Sequence, residues 1–324
     1  MKKFACLLLF ALLLNGCDDG DLTPEIIDFS DPSIKIQNCT DTYELLYKLK
    51  NQESLLLQMP ENTLKNQVGE QVFDINNSTF KLVYRAYDGA VTTANICDAI
   101  RPSTPNTTNE WYAEGGKITI STKTVTDLNE ADNSTRITGY AHTITITNIS
   151  YSKPPSNQVQ PELVFGTFET AAAELNLSFT EAPKQCPVSK QIYTFNSGNM
   201  TSLTIDNPDG LIVNEATPPG QPRTRLINAP TSNSVTYTVF SGGIINDTYF
   251  CNTTTPTTPT IKETWKGVNG VDNQSGIIEV TTTTLGGNAF KHVIVLKNVS
   301  LTNGNASFNL GNNYLFGELI TSNN

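Results

Sequence analysis

The sequence predicts an all-β protein, built as two tandem homologous domains of antiparallel β-sandwich or barrel-like type. Three observations carry this. Thr is unusually frequent, roughly one residue in seven, and Asn and Ser are also abundant. That mixture favours strands and turns over helices. Apolar and Thr residues alternate at period two in several runs of strand length. The chain also repeats itself once, with chemically rare residues in register.

The repeat is read from spacing. Cys97 is followed fourteen residues later by Trp111, and Cys251 fourteen residues later by Trp265. His142-Thr-Ile-Thr-Ile-Thr-Asn148 matches His292-Val-Ile-Val-Leu-Lys-Asn298 without a gap. Val164-Phe165-Gly166 matches Leu315-Phe316-Gly317, each followed shortly by a Thr, at 170 or 321. Upstream, Ser54 matches Ser202, Tyr84 matches Tyr237 and Cys39 matches Cys186. The offsets run from 147 to 154 and drift, as loop insertions would produce. The expected domains are residues 34–170 and 180–324, each near the common domain size.

The elements follow in order. Tyr43 to Met59 could pass for a helix by its Leu spacing. Its counterpart, residues 191–205, alternates and carries Asn-Ser-Gly-Asn at its centre like a hairpin turn. Homologous segments share a fold, so Tyr43–Leu49 and Ser54–Met59 are read as a hairpin turning at Lys50-Asn51-Gln52-Glu53. Further strands are expected over 79–87, 116–126, 138–151 and 161–169 in the first copy. In the second they are expected over 233–240, 275–284, 289–301 and 313–321. All are rich in Thr, Val, Ile and aromatic residues at period two, and Asn/Gly/Pro turns join them.

The N-terminus reads as an address. Lys2 and Lys3 precede an apolar run from Phe4 to Leu14. Eleven residues are too few to span a bilayer, which takes about 20. The run ends in Leu14-Asn15-Gly16-Cys17, which resembles a bacterial lipobox. The resemblance implies a signal peptide over 1–16, removed before Cys17, with diacylglyceryl on the Cys17 thiol and an acyl chain on its amine. Residues 17–33 then form an acylated, acidic tether that includes Asp18, Asp19 and Asp21 and, further on, two prolines. Several acyl chains anchor far more firmly than one. Cleavage removes two lysines and no acid, so the net charge falls from −10 to −12. Acidic residues just after the lipidated Cys resemble the signal that sends lipoproteins of Bacteroidota to the outer-membrane surface. The expected location is the outer membrane, lipid-anchored and facing the exterior.

Cys6 leaves with the signal peptide and Cys17 takes lipid, so four of the six cysteines remain. An exported context and an even count favour disulfides. Within-copy pairing, Cys39 with Cys97 and Cys186 with Cys251, explains why both copies keep both residues. A zinc site would need ligands drawn together from two domains, and no metal site or cofactor is expected.

His142 and His292 are the chain's two histidines and occupy one repeat position; Trp111 and Trp265 do the same. An exposed Trp on a β-sandwich could stack on a sugar, and a His could meet a ligand or sense pH. These four are the candidate ligand contacts. The commoner roles are a Trp packed in the core and a His hydrogen-bonded at the start of a half-buried strand. No catalytic residue is expected: there is no G-x-S-x-G elbow, and no P-loop or G-x-G-x-x-G between a strand and a helix. Glu110 has only the offset Glu263 as a counterpart, so carboxylates suggest no pair. Arg223-Thr-Arg225 is the densest basic spot and is small. A charged share of 16%, against about 25% in typical domains, argues against coiled coils. A pI near 4.7 argues against nucleic acid as a partner.

The Cys-x13-Trp, Gly-Tyr-x-His-Thr-Ile and Phe-Gly-x-Phe pattern, behind a lipobox and acidic tether, resembles a group of surface lipoproteins of Flavobacteria (Bacteroidota) with a duplicated Cys-containing β domain. The resemblance implies location and architecture. That group has no established activity, so it implies no site residues. The resulting expectation is a non-catalytic lipoprotein, a binding or structural module for a glycan or protein, held to the membrane by its lipid. The alternative is a carbohydrate-active or other hydrolase with its site in one of the two copies.

Overall fold

The computed structural model describes residues 26–41, 43–152, 157–252, 254 and 256–323. The expected signal peptide, Cys17 and the expected tether as far as residue 25 lie outside the described residues. No helix among the described residues is long and apolar enough to cross a membrane.

The chain is almost entirely antiparallel β. Its strands are β1 (Gln37–Asn38), β2 (Leu45–Lys50), β3 (Glu53–Gln58), β4 (Gly69–Asp74), β5 (Lys81–Tyr87), β6 (Thr107–Asn129), β7 (Ser134–Ser152) and β8 (Gln158–Ala171). These form one sheet in the order β1-β2-β3-β5-β6-β7-β8, with β4 paired to β6. Next come β9 (Lys184–Gln185), β10 (Ile192–Asn196), β11 (Thr201–Asp206), β12 (Arg223–Leu226), β13 (Ser234–Ser241) and β14 (Thr260–Gly267). The last are β15 (Ile277–Gly286), β16 (Ala289–Lys297), β17 (Ser300–Asn303), β18 (Ala306–Asn309) and β19 (Tyr314–Ser322). They form a seven-stranded sheet, β18-β17-β14-β13-β11-β10-β9, and a four-stranded one, β12-β15-β16-β19. Among the described residues the helical elements are two single-turn helices, α1 (Thr93–Cys97) and α2 (Asp247–Cys251).

Contacts divide the chain into two compact units. The first holds residues up to Leu64, Gln71–Ile120 and Thr143–Thr167; the second holds Lys65–Glu70, Ser121–His142 and everything from Phe168 onward. Strands β6, β7 and β8 therefore each contribute residues to both units.

In the first unit, the β2–β3 hairpin pairs Lys50 with Glu53 across Asn51-Gln52, and Asn51 sits at φ 49° in the left-handed region that Asn tolerates. Leu55, Leu56 and Leu57 are all buried, so this strand does not alternate. The cause is a second cover. Tyr47, Leu56, Val83 and Tyr87 pack with Val91 and Ile96 of the α1 segment on one face. The other face carries Leu55, Leu57, Tyr84 and Trp111, also buried. The second unit repeats the device: Tyr193, Phe195 and Phe240 pack with Ile245, Tyr249 and Phe250. Its main core gathers Leu203, Tyr237, Trp265, Ile278, Ile294 and Leu296 among others.

The strand expected over 289–301 is two strands. At Asn298 (φ 48°) the chain leaves the four-stranded sheet and enters the seven-stranded one as β17. Its repeat partner Asn148 has φ 53°, yet β7 runs on through it. Gly166 and Gly317 likewise share a positive φ, 122° and 139°. The strands β4, β12 and β14 were not foreseen; β4 and β12 are short and polar, and β14 follows a Pro/Thr-rich run that reads as loop.

Candidate functional site

Both expected disulfides form, Cys39–Cys97 and Cys186–Cys251, with Cα–Cα distances of 5.3 and 5.2 Å. In each unit the bond ties the last residue of the short helix to the residue just after β1 or β9. It thereby holds the second cover on the hairpin. A helix of five residues has no stability of its own, so the crosslink supplies what helix propensity cannot.

The four candidate ligand contacts are all interior, which corrects that expectation. Trp111 is 6% exposed and Trp265 1%. Trp111 packs against Tyr84 and Tyr151, with ring centroids 5.0 and 6.5 Å away. Trp265 meets Phe308 edge-on at 5.0 Å, and its indole N–H donates to Glu263 at 2.9 Å. Neither ring has an open face, so neither can stack on a sugar. Burying so large an apolar surface outweighs any benefit of display.

His142 and His292 are each 0% exposed, and both belong to the second unit. Each sits in the same chain of side chains. Thr122 Oγ1 lies 2.9 Å from His142 Nδ1, and His142 Nε2 lies 2.9 Å from Thr170 Oγ1. Thr170 donates to Asn66 Oδ1 at 2.6 Å, and Asn66 Nδ2 donates to the Ala171 carbonyl. The second relay runs Thr282–His292–Thr321–Asn214, at 2.9, 2.8 and 2.5 Å. The proton positions follow from counting donors. The Asn66 amide N–H is fixed by a carbonyl, so Oδ1 is the acceptor facing Thr170. Thr170 spends its single proton there and must accept from His142 Nε2–H. His142 Nδ1 is then bare and accepts from Thr122. With a bare Nδ1 accepting from the Thr hydroxyl, a neutral imidazole satisfies every group. Burial pushes both imidazoles below the usual histidine value, and the charge of Arg223 adds to the effect at His292. Ligand contact is thus replaced by a structural role: the relays pin β15, β16 and β19, and the corresponding stretches of β6, β7 and β8.

Glu110 takes hydrogen bonds from Arg85 and Tyr112. Among the described residues no group of three or more His, Cys, Asp or Glu side chains could hold a metal ion.

The surface feature with convergent polar groups lies in the second unit, on the solvent side of the four-stranded sheet. A cleft of about 460 Å³ is lined by Arg225, Asp272, Gln274, Glu279, Lys297 and Asn298, with Ile277 and Leu226 as apolar floor. Glu279 and Lys297 pair at 3.0 Å, with side chains 23% and 35% exposed. The overhanging loop, residues 268–276, is fixed by backbone bonds: Gly270 N–H to Ile227, Gly276 N–H to Asn298, and a bridge between Val271 and Ser275. Asn298 Nδ2 also donates to the Gln274 carbonyl at 2.9 Å. A Cβ on Gly270 would meet the Gly276 carbonyl oxygen at 2.5 Å, and one on Gly276 would meet the Gly270 Cα at 2.6 Å. Only glycine fits either place, so the loop is built to close tightly. The volume falls in the range of small-molecule sites, and the lining is more polar than theirs usually is.

Sequence reasoning missed this cleft. Its acids and bases stand far apart in the chain and match no motif. The relay Thr and Asn residues were also missed as a group, although Thr170 and Thr321 are visible as repeat partners. The chain matches no family model, no curated protein and no solved structure.

Proposed function

We propose that this protein is a surface-exposed lipoprotein of the outer membrane, a non-catalytic binding module of two homologous β domains, with the cleft over β12, β15 and β16 as its binding face. The observation that carries the binding role is that cleft: a preformed, loop-walled concavity with convergent donors and acceptors. Rigid loops on a rigid sheet are a common way to present a binding face. The Leu14-Asn-Gly-Cys17 sequence and the acidic residues after it support the anchor and the outward orientation. Two disulfides support export to an oxidising compartment. Shared backbone angles at repeat-matched Asn and Gly residues, and the twin relays, support duplication.

A hydrolase reading has one observation in its favour: Asp272 and Glu279 line the same cleft, in one copy only. Both are engaged, however, Glu279 by Lys297 and Asp272 by Asn273 Nδ2 at 2.9 Å. That favours recognition over general acid–base work.

The anchor is tested by feeding cells an alkyne-bearing palmitate and blotting for the protein. Wild type is labelled and Cys17→Ser is not; labelling of the Ser variant would overturn the anchor. Protease shaving of intact cells then reports orientation, since a periplasmic protein survives until the outer membrane is permeabilised.

A further inference from the structure

The cleft differs from its surroundings in one respect that points to a ligand class. Thr282 lies seventeen residues after Trp265, whereas Thr122 lies only eleven after Trp111. Six residues are thus added between matched positions, and they make the loop over the cleft. In the first half the corresponding stretch belongs to the uninterrupted strand β6. The charged pair is added as well. Counting back from Thr122 and Thr282, Glu279 stands where the first half has Thr119; counting back from Asn148 and Asn298, Lys297 stands where it has Thr147. The scaffold therefore folds with two threonines and no loop at this place. Loop and ion pair occur together, so they are additions to the fold and not requirements of it.

The lining narrows the chemistry. The lining holds one ion pair, Lys297 with Glu279, and one further carboxylate, Asp272, while the Arg225 side chain starts from the sheet face it shares with the buried Ile278. Neither this lining nor the acidic protein as a whole favours an anionic ligand. What it offers is a dense set of planar and point hydrogen-bonding groups over a small apolar floor. Glu279 keeps lone pairs and Lys297 keeps protons after their mutual contact. An acceptor and a donor 3.0 Å apart suit two adjacent hydroxyls, one donating to the carboxylate and its neighbour accepting from the ammonium. Arg225 commits two N–H groups to the carbonyls of Asp209 and Thr224 and so is held in place with donors to spare. Ile277 and Leu226 match the C–H face of a sugar ring.

We propose that the Glu279–Lys297 cleft binds a neutral oligosaccharide, with the ion pair gripping a vicinal diol. This rests on the binding-module reading above and names its ligand. The test is a glycan array of neutral and acidic oligosaccharides probed with the full chain in detergent. It is followed by calorimetric titration of the best neutral binder into wild type, Glu279→Gln/Lys297→Met, and Asp74→Ala/Lys117→Ala. The last variant removes an exposed ion pair of the first unit. The expected result is binding of neutral glycans, weakened at least about tenfold in the cleft variant and unchanged in the Asp74/Lys117 variant. Circular dichroism of each variant separates lost binding from lost folding, and Lys297→Arg keeps a cation in the cleft for rescue. Sugar binding that survives the cleft variant overturns the site but leaves a binding module. Binding only of acidic glycans overturns the ligand class. Failure of the whole array overturns the sugar proposal.

Discussion

The twin histidine relays make stability fall as pH drops through a range where little else titrates. The perturbation is acidification from pH 7.5 to 5.5. In the folded protein burial disfavours the charged form of both imidazoles, and a bare Nδ1 in each suits the Thr hydroxyl beside it. In the unfolded chain each titrates near 6.5. A group whose folded pKa is depressed contributes stability that is present above the unfolded pKa and is lost as pH falls below it. Over these two pH units the unfolded state gains about one proton per histidine. The loss over this range is at most about 1.4 kcal/mol for each and at most about 2.7 kcal/mol for the pair, the limit at which neither folded imidazole takes up a proton. Carboxylates with lowered pKa, such as Asp88 and Asp132, act only at lower pH. The assay is urea unfolding at the two pH values, followed by tryptophan fluorescence and circular dichroism. Where the two units unfold separately, the entire pH effect belongs to the second unit, which holds both histidines. His142→Gln/His292→Gln should be less stable at pH 7.5 yet nearly independent of pH down to 5.5. The reasoning is refuted by flat stability in wild type, or by a slope that survives the double substitution.

Three further outcomes are expected. Thr321→Val keeps side-chain volume but strands His292 Nε2–H and takes a donor from Asn214; it should cost about 1–3 kcal/mol in denaturant titration, while Thr321→Ser stays near wild type. Trp265→Ala, by opening a cavity against Phe308 and orphaning part of Glu263, should lower stability by about 3–5 kcal/mol, read in the same titration. Reducing either disulfide should cost up to about 4 kcal/mol, since the closed loops span 58 and 65 residues, and calorimetry before and after reductant measures it.

Much of the architecture was legible because the repeat let one copy interpret the other. Leu55-Leu56-Leu57 carries no period-two signal, since both of its faces are covered, and alone it reads as a helix. The Thr/Phe alternation of its counterpart settled the matter. Both disulfides were legible for the same reason. The strand break at Asn298 was not, because Asn148 holds the same backbone angle within an unbroken strand. One residue's conformation is compatible with either path, and the loops around it decide. Trp and His were visible as rare residues, but rarity does not separate display from burial; only the opposing sheet does. The cleft was illegible because Leu226, Ile277 and Lys297 converge through strand pairing between distant segments, Leu226 lying opposite Ile277 and Ile277 opposite Lys297.

The six-residue addition after β14 makes the molecule its own negative control. One half of the chain carries the loop and ion pair, and the strand matched to it by spacing in the other half, β6, pairs without them, in the same solution and at the same concentration. Transplanting residues 268–276 into β6 between Ala113 and Lys117, together with Thr119→Glu and Thr147→Lys, asks whether recognition is portable. Success would give a bivalent receptor, and with it a gain in avidity on repetitive polymers that a single site cannot reach.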